Sequence, residues 1–334
     1  MKKGYPYIDI MRIVASLFVI AIHIAPFFQI NPALDTFITR VIGRLAVPFF
    51  FITTSFFLFK DGYPSKQRIS KTIFHLLKWY VFAIIIYIPL MIYNGYFIQD
   101  HLFFEMIKDL LIDGTFYHLW YFPAVIIGLV IVCIITKYLP KYSFVIVSLL
   151  YIIGLCGDSY YGLISQVKFV DYTFNNLFQF MDYTRNGFFF APMFLMLGVI
   201  LANEKKNFKN NMSFIFLVFC LSLMIVEASF LHKLSFIKHD SMYLFLPFVS
   251  YFLFSLLKSY RGERYIYYKD ISLWVYLIHP LMIVVVRMIG KGVSCMPLVE
   301  NNLVQFLCVT LYSFVFAYGV HWLMRKKNYE RTSV

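Results

Sequence analysis

Ten apolar runs divide this chain of 334 residues, at approximately 8–29, 37–59, 74–93, 117–136, 142–156, 186–202, 212–231, 242–257, 271–289 and 303–324. A helix rising about 1.5 Å per residue needs about 20 such residues to cross a hydrocarbon layer about 30 Å thick. Inside that layer no water satisfies peptide groups, so each crossing segment must bond its own backbone. The expected fold is therefore an all-α membrane protein, a polytopic bundle of about ten transmembrane helices. Hydrophobic residues make up 61% of the chain and charged ones 14%, which excludes an ordinary soluble domain.

The net charge of +13 reads as topology. The basic residues lie in short loops between spans, not in a patch interleaved with exposed aromatics, so no nucleic-acid partner is expected. With the N-terminus in the cytoplasm, roughly 19 basic residues fall inside, among them Lys2, Lys3, Lys60, Lys66, Arg68, Lys205, Lys206, Lys209, Lys258, Arg261, Arg264, Lys269, Lys326, Lys327 and Arg331, against 7 outside. That asymmetry predicts cytoplasmic N- and C-termini. Residues 1–324 are expected to form one transmembrane domain and 325–334 a short basic cytoplasmic tail, in the cell membrane. Met1 to Tyr7 is weakly basic and the first run exceeds the apolar core of a signal peptide, so it is read as a retained span. Two outer connections stand out: Phe97 to Leu111 has amphipathic spacing, and Gly157 to Tyr183 is rich in aromatics.

Ionisable residues inside spans are costly and mark functional sites by default. Arg12 and His23 share one face of the first helix, 11 positions apart, separated along the axis by about 16 Å. A guanidinium at the cytoplasmic end suits phosphates, and an imidazole deeper in suits removal of a hydroxyl proton. Snorkelling to headgroups and plain packing are the alternatives for the two residues. The second span carries Arg40 and Arg44 on one face, then Pro48 and Ser55; the carbonyl of Arg44 is the one freed by Pro48, which predicts a kink beside a polar cavity. The fourth span opens on His118 and Trp120 ahead of Pro123, where an aromatic belt is also expected. Arg185 follows Asp182 before the sixth span. Ser272, Tyr276 and His279 share a face of the ninth as a potential hydrogen-bonding column.

The five cysteines are scattered and read as small packing residues. There is no phosphate-binding glycine loop, nucleophile elbow, HExxH or Cys/His cluster, so no metal is expected and ATP-driven transport or zinc proteolysis lacks support. Glu227 is the only obvious buried carboxylate for a proton relay.

Taken in order, Arg12 with His23, Arg44-Leu-Ala-Val-Pro48 with Ser55, His118-Leu-Trp-Tyr-Phe-Pro123, and Ser272 to His279 resemble the acyltransferase-3 family of ten-span membrane proteins. The chain departs from that pattern at Phe56, where a glycine commonly follows the serine. A narrower resemblance, carried by Tyr151 to Gly162, Asp182 to Gly187 and His239 to Tyr243, is to the membrane domain of vancomycin-resistance serine racemases, without their racemase domain. The chain is thus expected to be a stand-alone relative or a separated membrane domain.

The family resemblance implies a membrane O-acyltransferase with His23, Arg12 and Arg44 at its catalytic centre. Its donor would be acetyl-CoA or another acyl-CoA, and its acceptor an outward-facing hydroxyl of a carbohydrate, envelope polymer or serine-like metabolite. Ser55, His118, Trp120, Arg185, Ser272, Tyr276 and His279 would bind substrate. The alternative is an L-serine supply module, with Arg185 holding the serine carboxylate and a separate racemase or envelope enzyme as partner.

Overall fold

The computed structural model describes residues 4–204, 210–234 and 236–332. Lys2, Lys3, Lys205, Lys206 and Lys209 lie outside the described residues, as do the side chains of Lys326, Lys327 and Arg331. Among the described residues, seven helices are long and apolar enough to cross a membrane: α1 (Pro6–Ile24), α2 (Pro32–Phe59), α3 (Lys66–Tyr93), α4 (Tyr121–Tyr138), α7 (Asn210–Lys233), α9 (Ile266–Gly292) and α10 (Asn302–Thr332). Three shorter apolar helices complete the set: α5 (Ser143–Gly157), α6 (Ala191–Asn203) and α8 (Leu246–Ser259). The chain is an all-helical, multi-pass membrane protein.

Two boundaries differ from the sequence pattern for identifiable reasons. The first helix ends at Ile24, five residues early, because Ala25 takes a left-handed conformation (φ 56°) and precedes Pro26, which disfavours helix in the residue before it. His23 therefore sits in the last turn of α1 rather than mid-span. In α2 the irregularity lies at Phe37–Val41, a π turn, and Ile42–Leu45, a 3-10 turn, ahead of Pro48. The α-helical stretch Ala46–Phe59 begins just before Pro48, so the proline falls in a first turn, where no backbone donor is required. Arg40 and Arg44 are thus separated by a change of helical pitch; Arg44 is buried and Arg40 half-buried.

The chain divides into two compact units, Met1–Val47 with Leu256–Val334, and Pro48–Ser255. The first unit is built on α1, α9 and α10, cored by Ile20, Ile24, Val275, Ile283, Val286, Val309 and Ala317. Asn302 donates to the Ala25 carbonyl at 3.0 Å and Asp35 accepts from the Phe27 amide at 2.9 Å, which fixes the chain immediately after His23.

The second unit packs through small residues. A Cβ at Gly128 would meet Leu195 and Ala191, and one at Gly198 would collide with Ser55 and the Ile52 carbonyl. Close backbone approach replaces the hydrophobic drive that is absent between helices in lipid. Its connections carry the short helices Leu102–Lys108 and Lys168–Leu177, with Phe103 and Phe169 exposed.

Candidate functional site

The first unit assembles a histidine pair. His279 is fully buried, and its Nδ1 lies 2.9 Å from the Tyr276 carbonyl and 3.1 Å from that of Val275. The next residue, Pro280, has no N–H to give the Tyr276 oxygen its usual i→i−4 partner. The imidazole supplies the missing donor. A carbonyl only accepts, so Nδ1 carries a proton. The ring of His23 stacks on that of His279, centroids 5.3 Å apart and planes 27° apart. Tyr276 stands 6.3 Å from His279, while Ser272 turns its hydroxyl to the Lys269 carbonyl at 3.0 Å. The column expected along α9 consequently bonds largely to its own backbone.

Arg12 lies at the other end of α1, beside a residue the sequence reading missed. Asp9, fully buried, faces Arg12 Nε at 3.7 Å and Arg264 Nε at 3.4 Å. Its signal was present: Asp9 precedes Arg12 by three positions, the spacing of a same-face ion pair. Its bond to Arg264, 255 positions along the chain, has no local signature.

The second unit holds a separate polar cup with a volume of about 250 Å³, lined by Asp109, Asp113, Thr115, Trp120, Asp182 and Arg185, among others. Arg185 sits over the Tyr183 ring at 4.3 Å and the Trp120 ring at 5.2 Å, and donates to Ser241 at 3.3 Å. Carboxylate oxygens of Asp109, Asp113 and Asp182 come within 4.8 Å of one another, a set able to hold a cation, with Lys108 already on Asp182 at 2.9 Å. Burial pushes the Asp113 carboxyl up to about 7; the Asp182 charge adds to the rise, and the Asp182 amide, bonded at 2.9 Å, opposes it. Burial likewise raises Asp109.

Behind this cup Asp158, fully buried, accepts from the amides of Ser241 and Met242 at 2.8 and 2.9 Å and from Ser159. Burial raises its pKa to about 7 against those donors. Beside it, burial and the Arg185 charge lower His239 to about 4.

The remaining sequence candidates occupy packed positions in this unit. Ser55 turns to the Phe51 and Ile52 carbonyls at 3.3 and 3.2 Å, and His118 is caged by Tyr87, Phe116 and Tyr117. Phe56, where the family resemblance calls for glycine, packs its ring edge-on to Phe254 at 5.1 Å. Glu227 accepts from the Leu244 and Phe245 amides and from Tyr160, which makes it a cap for the segment entering α8.

Among the described residues, ten apolar helices with a histidine pair in one unit and a charged cup in the other define a membrane protein with buried polar centres. Residues 5–322 match the acyltransferase-3 family, described as an acyltransferase domain, and the chain belongs to that family. It is 37% identical over 343 residues to an amino-acid racemase of Enterococcus faecalis, covering 100% of this chain and 48% of the relative. It is 38% identical over 318 residues to a serine/alanine racemase of Enterococcus gallinarum, covering 92% and 45%. The chain thus spans about half the length of these relatives. No solved structure matches it.

Proposed function

We propose that the protein is a membrane O-acyltransferase that moves an acetyl or short acyl group from a cytoplasmic acyl-CoA to an outward-facing hydroxyl of an envelope carbohydrate or small metabolite. The observation that carries this reading is the stacked pair of His23 and His279, with the second ring held in one tautomer by its own helix. The acceptor oxygen attacks the thioester carbon and the C–S bond breaks. The hydroxyl proton passes to His23 and then to the departing thiolate, which leaves as the free thiol. Arg12 and Arg44, both in the same unit, supply positive charge for the donor phosphates and the developing oxyanion. His279, neutral and fixed, supports the His23 ring as it gains charge. Purified protein carrying His23→Ala tests this reading: unchanged acyl-CoA consumption and acceptor acylation would refute it.

A second reading, an L-serine supply module, is favoured by the cup. Arg185, flanked by two aromatic rings, faces three carboxylates across a volume fit for a small zwitterion, whose carboxylate and ammonium would meet opposite walls. The name of the Enterococcus gallinarum relative, a serine/alanine racemase, is in keeping with it. Vesicle uptake of labelled L-serine decides: equal uptake by wild type and Arg185→Ala removes this reading.

A further inference from the structure

We propose that the exposed face of α3, near its start, is a binding site for one anionic phospholipid, with Lys71 and Lys78 on the headgroup phosphate and Phe74, Phe82 and Ile85 along an acyl chain. The site depends on neither the acyl-transfer nor the serine reading.

The first ground is the shape of the stripe. Along α3 the buried residues are Tyr80, Ala83, Tyr87 and Met91, which share one side of the helix. At about 100° per residue, Lys71, His75 and Lys78 fall on the opposite side within an arc of about 60°. Phe74, Phe82 and Ile85 widen the same stripe to about 100°. All six are exposed, Phe74 at 70% and Ile85 at 60%. A cationic start thus runs directly into an apolar strip on one face, the order of headgroup and chain in a phospholipid.

The second ground is the charge. α3 contains no Asp or Glu. Arg68, at the margin of the stripe, is already engaged, with Nη1 on Asp61 at 3.3 Å and Nη2 on the Phe57 carbonyl at 2.8 Å. Among the described residues, no carboxylate lies at ion-pair distance from Lys71 or Lys78. Lys78 stands four positions, about 6 Å, beyond the start of the apolar run at 74. An ammonium there extends its stem toward the headgroups, and a phosphodiester supplies the counter-charge that the protein does not. The two flexible stems can bring both ammoniums to one phosphate between them.

Trp79 marks the level. It donates from Nε1 to His75 Nε2 at 3.2 Å and sets its ring edge-on to Phe82 at 5.6 Å. An indole with an apolar body and a bonded N–H is the side chain that collects where headgroups meet hydrocarbon. A soluble anion would answer the lysines but leave the strip from Phe74 to Ile85 bare. A choline lipid would cover the strip but bring its own cation beside the lysines. An anionic phospholipid satisfies both.

The test uses the full chain in phosphatidylcholine nanodiscs that contain, at equal mole fraction, dibrominated phosphatidylglycerol or dibrominated phosphatidylcholine, whose bromines quench a tryptophan they touch. Subtracting the emission of Trp79→Phe isolates Trp79. The association constant read from its quenching is expected to favour phosphatidylglycerol by about 25-fold, about fivefold from each lysine. Lys71→Gln combined with Lys78→Gln abolishes the preference, while the corresponding double arginine variant keeps it. Lys137→Gln with Lys141→Gln, which removes as much charge from the end of α4 and the turn after it, leaves it unchanged.

Equal quenching by the two lipids in the wild type overturns the site, as does a preference that survives the double glutamine variant. A preference lost equally in the Lys137 and Lys141 variant belongs to the field of the whole chain and also overturns it. Relief of phosphatidylglycerol quenching by inorganic phosphate at fixed ionic strength assigns the lysines to a soluble anion and overturns the lipid.

Discussion

The ion cluster around Asp9 in the first unit and the cup of the second are built on opposite charge patterns. In the first, the guanidiniums of Arg12 and Arg264 share one buried carboxylate, Asp9; in the cup three carboxylates lie with Lys108 and Arg185. The difference lies in how each kind of charge can be given up. An arginine stays charged wherever it is put, so the cluster around Asp9 keeps its charges at any pH at which its carboxylate is ionised. A carboxyl can take up a proton instead, and Asp113, held at about 7, does so near neutrality. One region is a fixed electrode and the other a titrating one.

The largest effect that would break this contrast is on chemistry. His23→Ala is expected to lower the acyl-transfer rate by about 100-fold or more while CoA affinity stays within about twofold, measured by single turnover and titration. Next comes stability in the Asp9 cluster. Asp9→Asn leaves two guanidiniums without their buried counter-charge and should cost about 3 kcal/mol, read as a lowered unfolding midpoint in detergent.

In the cup the expected sign is reversed. A carboxyl whose folded pKa exceeds its unfolded value opposes folding once ionised, so the cost grows as pH rises from about 4 to about 7 and then levels off. Asp113→Asn should therefore stabilise by about 1 kcal/mol at pH 8 and have little effect at pH 4; equal effects at both would dissolve the contrast. The smallest effect belongs to Pro280→Ala. It restores a backbone donor to the Tyr276 carbonyl and loosens the His279 tautomer, with a fall of about threefold expected in kcat and little change in KM. Rescue by a compensating proline elsewhere in the helix would count against that cause.

Much of the architecture was legible because lipid imposes a single rule on the backbone, and apolar length reports it directly. All ten runs became helices, including the short one at 142–156, now α5. Boundaries were less legible: the π and 3-10 turns in α2 follow from packing, and only Pro26 announced the end of α1. Among the site residues, Arg12, His23 and His279 were found because charge or imidazole inside an apolar run is rare. Glu227 was found for the same reason and accepts from the amides that enter α8, while Ser55, named with the family motif, lies against Gly198. Asp9, Asp113 and Asp158 escaped notice because they sit at the ends of spans, where acidic residues are ordinary.

The sequence by itself determined the class of protein, its ten helices and the family to which it belongs, since these depend on local composition and on motif order along the chain. Only the tertiary structure decided that His23 meets His279, that Asp9 joins Arg12 to Arg264, and that Asp109, Asp113 and Asp182 share a cup with Arg185. Those pairings join residues up to 256 positions apart, as His23 and His279 are. A helix fixes which residues share its own face; which faces meet is set by packing between helices, and no periodicity in one segment encodes it.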